Sequence, residues 1–254
     1  MQFHYGTEFT FHCESEKYWK NHEAITERLW QLNHRAHARG VFGKPTCYLD
    51  SWCSLEFRSP ILTTLEEFRW YYDEIHALAR KYRLPIRPKG QTTGGGHLHQ
   101  SQPGGWGVDL ICWLPKDMVR RPYLIWLFLD PEDDESACDQ RFDRFSRCWA
   151  VSPRYYGEGT FEFRLFEMPR SWDEQLLHLN FAEAYTAWAK TKVSSRLQGR
   201  VTRKRYTPKN YPLRRASGEA REFLAEIGLD PADYRGLLRR NLYKRYTPGY
   251  NLAG

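Results

Sequence analysis

Long hydrophobic runs are missing from this chain: none approaches the roughly 20 apolar residues that a membrane-spanning helix needs. The opening stretch MQFHYGTEFTFHCE also lacks the basic and apolar segments of a secretion signal, so a soluble, cytoplasmic protein without a membrane partner is expected. Cysteine is sparse. Six are scattered through 254 residues (Cys13, Cys47, Cys53, Cys112, Cys138, Cys148) with no CxxC pair. That pattern excludes a disulfide scaffold or a zinc ribbon and predicts buried free thiols. Cys13 and Cys53 lie beside the motifs below, but a structural role is preferred to a nucleophilic one.

What is present is aromatic and unevenly charged. The chain is 41% hydrophobic and 16% aromatic, enough for one substantial core. Its net charge of +7 is concentrated at one end: residues 196–254 hold fourteen Lys/Arg against five Asp/Glu, while the preceding residues are nearly balanced. Such a basic segment attracts nucleic acid, nucleotide phosphates or an acidic substrate, or is a solvated helical face.

Apolar periodicity divides the chain into elements. YGTEFTFH alternates strictly, placing Phe9 and Phe11 on one face of a strand and Glu8 and Thr10 on the other. Tyr18, Trp19, Ile25, Leu29 and Leu32 predict a helix over about 15–39, and CYLDSWCSLEFRSPIL reads as one or two strands. Thr64-Leu65-Glu66-Glu67 is a capping-box pattern opening a helix to about Tyr82, and Ser171-Trp172-Asp173-Glu174 repeats it before a helix over 172–195. Residues 106–114 and 122–129 read as apolar strands, 138–149 as helical, and Gly159 to Phe166 as another alternating strand. The tail holds KRYTP twice, at Lys204–Pro208 and Lys244–Pro248, around a helical segment 217–243 that breaks near Pro231; 198–214 is the best linker. The element order predicts an α+β fold with a mainly antiparallel sheet, divided as a catalytic domain over 1–197 and a basic, mainly helical C-terminal extension over 198–254.

Four strands share one peculiarity. Glu8, Glu56 with Arg58, His97 with His99, and Glu162 with Arg164 each occupy the polar side of a strand whose other side is aromatic or aliphatic. A solvated sheet face is the bland explanation for any one of them. Solvated faces usually carry Thr, Lys, Ser and Gln, however, not repeated Glu, His and Arg beside glycines. Three carboxylates with imidazoles suit divalent cations, Mg²⁺ or Mn²⁺, and arginine forks suit phosphate oxygens. Together they match what phosphoryl transfer requires.

These blocks resemble the glutamine synthetase and glutamate–cysteine ligase superfamily of carboxylate–amine ligases, especially its small amidoligases. Gly6-Thr7-Glu8-Phe9-Thr10-Phe11 is similar to that family's first strand, G-x-E-x-E-F. Asp50-Ser51 with Glu56-Phe57-Arg58-Ser59-Pro60-Ile61-Leu62 is similar to D-x-S…E-x-x-S-P-I/L. Gly94-Gly95-Gly96-His97-Leu98-His99-Gln100-Ser101 is similar to G-x-G-x-H-x-H-x-S, and Thr160-Phe161-Glu162-Phe163-Arg164 to T-x-E-x-R. The likeness covers roughly residues 3–190. It implies a curved sheet with helices on its convex face and, on the concave face, ATP with two or more Mg²⁺ or Mn²⁺ ions. By the same likeness Glu8, Glu56, His97 and Glu162 are metal ligands. Arg164 contacts the phosphates or phosphorylated intermediate, and Gly95 and Gly96 let the backbone approach the nucleotide. A further arginine is expected upstream of the last strand, where Arg154 is preferred to Arg147. Thr10 stands where the family carries a second acid; Glu14 or Asp50 could replace it.

The implied activity is amide formation from a carboxylate and an amine, small or peptidic, through an acyl phosphate. Glu56 or His99 is the general base, and His99 is alternatively a support for His97. Arg58 reads as a structural ion pair, and His34, His37 and His76 as helical residues without chemistry. Two rivals remain: a divalent-metal hydrolase that uses no ATP, and a non-enzymatic nucleic-acid-binding protein led by its basic tail.

Overall fold

A computed structural model describes residues 3–13, 15–38, 46–51, 54–85, 96–102, 104–119, 121–128, 151–154, 160–196 and 213–243. Six strands form one sheet: β1 (His4–His12), β2 (Thr46–Ser51), β3 (Ser54–Arg58), β4 (Gly96–Ser101), β5 (Val151–Arg154) and β6 (Thr160–Phe163). Their spatial order is β2-β3-β1-β4-β6-β5, with every neighbouring pair antiparallel. The longest strand, β1, is therefore central and pairs with the two strands that carry Glu56 and His97. The helices are α1 (Ser15–Ala38), α2 (Leu65–Lys81), α3 (Val108–Val119), α4 (Pro122–Phe128), α5 (Trp172–Arg196) and α6 (Leu213–Glu226). A short turn, Arg235–Leu237, then runs into a π-helical turn, Leu238–Tyr243.

Strict alternation gives the sheet two unlike faces. Phe9, Phe11, Leu55, Phe57, Leu98, Phe161 and Phe163 are all buried on one of them. Helix α2 packs there: the ring of Phe9 lies 6.0 Å from Tyr71 and 5.9 Å from Tyr72, and that of Phe11 lies 5.5 Å from His76. Helix α5 is fastened to the same face through Gln100. Its buried amide accepts from Thr186 Oγ1 at 2.6 Å and donates to Tyr5 Oη at 3.1 Å and to the Ala182 carbonyl at 3.4 Å. Because the amide is satisfied, its burial fixes register without an unpaired polar atom.

Local signals explain where the two main helices begin. Thr64 Oγ1 accepts from the Glu67 amide at 3.1 Å while the Glu67 carboxylate accepts from the Thr64 amide at 3.1 Å, a complete capping box. At α5 the Ser171 hydroxyl accepts from the Glu174 amide at 3.2 Å. The Glu174 carboxylate takes the Arg170 amide at 3.3 Å, one residue upstream of the reciprocal bond of a full box.

The strands expected at 106–114 and 122–129 are instead helices α3 and α4. The buried residues Leu110, Leu114, Asp117 and Met118 recur at i, i+4, i+7 and i+8, one face of a helix. An apolar run of this length reads alike as a buried strand or a buried helix, and contacts distant in sequence decide. Here Arg121 Nε donates to Asp117 Oδ2 at 2.7 Å, Arg121 Nη1 to Tyr123 Oη at 2.9 Å, and Tyr185 Oη to Asp117 Oδ2 at 3.1 Å. The Arg121 guanidinium also lies over the rings of Phe223 (4.0 Å) and Trp188 (4.9 Å). One buried ion pair thus joins α3, α4, α5 and α6.

The described part of the C-terminal segment packs on this group. Phe223, Leu224, Leu237 and Leu238 belong to the same buried apolar cluster as the sheet residues. Tyr234 Oη donates to the Leu177 carbonyl at 3.0 Å, and Arg240 forks onto Glu174 with bonds of 2.5 and 3.2 Å. Its helical stretch is interrupted at 227–234, around Gly228, whose φ of +84° ends α6 in the left-handed region, and Pro231. The helix expected over 138–149 and most of the linker over 198–214 lie outside the described residues. No described helix is long and apolar enough to cross a membrane.

Candidate active site

Polar residues from all four blocks meet on the sheet face opposite Phe9 and Phe57. Register does this. In the β1–β4 pairing Glu8 stands opposite His97 and Gly6 opposite His99; in β1–β3, Glu8 stands opposite Arg58 and Thr10 opposite Glu56; in β4–β6, His99 stands opposite Glu162. Directly opposed residues share a face, so four strands distant in sequence contribute to one surface. Threonine and serine hydroxyls help to hold that register: Thr7 Oγ1 donates to the His97 carbonyl at 3.1 Å, and Ser59 Oγ accepts from the Thr7 amide at 2.8 Å. The serine of the Ser59-Pro60 block is therefore used on backbone.

Three carboxylates are almost completely enclosed there: Glu8 and Glu56 are each 5% exposed and Glu162 is 0% exposed. Buried carboxylates must be compensated, because an unpaired one costs several kcal/mol. Two arginines and the His97 imidazole do so, and His99 stands close by. Arg58 Nε donates to Glu56 Oε1 at 2.8 Å and lies 2.9 Å from Glu8 Oε1. Arg164 Nη1 donates to Glu162 Oε1 at 2.9 Å. His97 Nδ1 lies 3.1 Å from Glu8 Oε2 and 3.5 Å from Glu162 Oε1. His99 Nε2 lies 3.2 Å from Glu8 Oε1 and 4.0 Å from Glu162 Oε1.

The electrostatics follow from burial and these contacts. Burial alone raises the Glu8 carboxyl, but its contacts with His97 and His99 outweigh that and hold it below the ordinary carboxylate range. Burial lowers His97, against the opposing pull of Glu8, so its imidazole is neutral at pH 7. A carboxylate only accepts, so the His97 proton is on Nδ1 and its remaining lone pair is on Nε2.

The two imidazoles differ in a way that bears on metal binding. His97 spends Nδ1–H on Glu8. His99 Nε2 is buried and makes no hydrogen bond, although Glu8 Oε1 lies 3.2 Å away. An orphaned buried nitrogen beside two carboxylates is what a cation ligand looks like before the cation is bound. Glu8, His99 and Glu162 each offer one ligand atom, and these lie within 4.8 Å of one another. The donor set, two carboxylates and an imidazole, fits Mn²⁺ or Mg²⁺.

Of the other expected site residues, Glu56 joins the face but is tied to Arg58. Thr10, opposite Glu56, is 8% exposed and adds no charge. Asp50 falls at the irregularity between Leu49 and Ser51 in the β2–β3 pairing, and Arg154 stands opposite Thr160 in the β5–β6 pairing. Glu14, Gly95 and Arg147 lie outside the described residues. Gly96 meets the chain itself: a Cβ there would sit 2.3 Å from the Glu167 carbonyl oxygen, where the Gly96 amide donates to the Phe166 carbonyl at 3.1 Å. Nothing in the spacing of GGGHLH announced that close approach. His76 and His34 make ring contacts, with Tyr72 and Trp30 respectively, away from this face.

No known family profile matches the sequence, and no curated relative does. Among solved structures, the chain is similar to one in the crystal structure of the complex between the prokaryotic ubiquitin-like protein Pup and its ligase PafA. The TM-score is 0.44 and the identity 10%, over 96% of this chain. The chain spans 63% of that protein's length.

Proposed function

We propose that this protein is an ATP-dependent carboxylate–amine ligase that forms an amide bond through an acyl phosphate. One observation carries the reading: Glu8, Glu56, His97, His99, Glu162 and Arg164, picked out from four separate blocks by their chemistry, lie on one sheet face around shared carboxylate oxygens. A random set of polar strand residues would be spread along the sheet and open to water.

In this reading Glu8, His99 and Glu162 hold a divalent cation, Glu56 serves a second, and His97 orients Glu8 through Nδ1–H. His99 thereby takes the ligand role that the family resemblance implies for His97. The cation, when bound, supplies positive charge for nucleotide phosphates. Arg164, held by Glu162, faces the charge that grows on the transferred phosphoryl group, and Arg154 at the end of β5 is a second candidate for the nucleotide. Carboxylate is a poor electrophile because oxide is a poor leaving group. Moving the γ-phosphoryl of ATP onto the carboxylate replaces it with phosphate, which departs when the amine nitrogen attacks the acyl carbon. An amine arriving as ammonium loses its proton to a carboxylate of the site, with Glu56 the candidate. The same reading brings a curved sheet with the site on its concave side.

The test is ADP release with Mg²⁺ or Mn²⁺ across a panel of carboxylic acids, amino acids and polyamines, with the product read by mass. Thermal unfolding with metal, ATP and both together separates this activity from metal-only hydrolysis. A ligase is stabilised by ATP only when the metal is present. No response to ATP under any condition would sink the proposal.

A further inference from the structure

We propose that Arg58 is a displaceable internal counter-ion: it neutralises Glu8 and Glu56 when the site holds no divalent cation, and is driven off them when a cation binds. The inference rests on the reading of this face as a cation site.

One carboxylate oxygen serves two groupings. Glu8 Oε1 lies 2.9 Å from Arg58 Nε and 3.2 Å from His99 Nε2. It therefore belongs both to the Arg58 bridge and to the Glu8–His99–Glu162 set whose ligand atoms lie within 4.8 Å. A cation bound by that set approaches carboxylate oxygens to about 2.0–2.2 Å. It would compete with the guanidinium for the oxygen's lone pairs and repel it as a like charge. Glu56 Oε1, 2.8 Å from the same Nε, is the second oxygen that the bridge occupies.

Burial explains why a bridge is needed. Two carboxylates, each 5% exposed, cannot stand side by side uncompensated, and one guanidinium between them removes most of their repulsion. Exposure explains why it can leave. The Arg58 side chain is 47% exposed, so departure returns the head to water at small cost, whereas Arg164 on Glu162 is 24% exposed and more enclosed. Its backbone stays fixed between β1 and β2, opposite Glu8 and Thr46, so only the side chain has to move.

The consequence is a coupling. Cation entry moves a guanidinium off Glu8 and Glu56, and its fork can then meet the phosphate or carboxylate oxygens of an arriving anionic ligand. Until the cation is present, the arginine occupies one oxygen of each carboxylate.

The experiment is Mn²⁺ titration by calorimetry without nucleotide, on wild-type protein, Arg58→Gln and Arg58→Lys, with thermal unfolding of each in EDTA and in saturating Mn²⁺. Removing the competing guanidinium is expected to tighten Mn²⁺ binding about tenfold in Arg58→Gln, with Arg58→Lys in between. Arg58→Gln should also unfold several degrees lower in EDTA and recover most of that loss in Mn²⁺; an arginine that only supports the fold would give the same loss in both. Equal or weaker Mn²⁺ binding by the variants, with wild-type binding intact, overturns the inference and leaves the cation-site reading standing. Absence of Mn²⁺ binding by all three proteins overturns both.

Discussion

Glu162 is the residue on which most of the site converges. It is fully buried, it accepts from Arg164, and both imidazoles lie within 4.0 Å of its Oε1. Glu162→Gln keeps the shape and removes the charge. Mn²⁺ affinity is expected to fall by at least roughly tenfold, and ligase turnover with it, while the circular dichroism spectrum is unchanged. Wild-type affinity in this variant would refute its part in cation binding. Gly96 makes a different demand. An alanine Cβ would have to occupy space 2.3 Å from the Glu167 carbonyl oxygen and 3.0 Å from the Pro169 ring, so backbone must move. Gly96→Ala is expected to cost about 2 kcal/mol or more in urea unfolding. At Gly6 the nearest atom is the His99 Cβ at 3.5 Å, an ordinary contact, so Gly6→Ala should cost well under half as much. The acid and base types of the site were legible in the sequence because residues at i and i+2 of an alternating strand must share a face. Which atoms touch was not, since that depends on the register of strands as far apart in the chain as those of Glu8 and Glu162.

Among the elements, the helical group α3–α6 depends on a polar interior that periodicity conceals. Asp117 is 2% exposed and bonds both Arg121 and Tyr185, while Arg121 lies against Trp188 and Phe223. Asp117→Ala would leave a buried guanidinium uncompensated and is expected to destabilise by about 3–5 kcal/mol in denaturant unfolding. Replacing both partners, Asp117→Leu with Arg121→Met, should recover much of the loss. A double variant no better than the single would mean that the pair is not what holds these helices. The same cluster explains why α3 and α4 read as strands in the sequence. Their apolar residues suit either state, and the buried Asp117–Arg121 pair between them is completed by Tyr185, far along the chain. Helix α2 is the opposite case, since its start is written locally in Thr64 and Glu67. Thr64→Ala is expected to cost about 1 kcal/mol.

Across the whole molecule, two buried histidines make stability depend on pH. Burial depresses His178 to about 4, with Arg240 lowering it further and Glu174 opposing. Burial likewise takes His76 to about 4, with Arg80 adding to the effect and Asp73 opposing it. Both are neutral in the folded protein, and their ordinary value when unfolded is 6.5. Between those values the unfolded chain binds more protons. Their contribution is therefore complete above pH 6.5 and is lost as pH falls toward 4, each at up to about 1.4 kcal/mol per pH unit. Urea unfolding from pH 7 to pH 4.5 should show this decline, and His178→Phe should flatten it. The basic tail is tested at this scale too. If nucleic acid were its partner, binding would weaken steeply with salt and survive Glu162→Gln.

The alternating strands and the capped helices α2 and α5 are written locally, because period-2 burial and capping boxes need no distant partner; the glutamates, histidines and arginines on the polar side of four strands are visible in the same way. Packing at a distance sets the rest: α3 and α4 are helices, Gly96 is packed against Glu167, His99 rather than His97 leaves an unbonded nitrogen among the carboxylates, and Arg58 bridges one oxygen of Glu8 and one of Glu56. Each of these depends on contacts between residues far apart in the chain, whose distances are set by strand register and helix packing, and no local pattern encodes them.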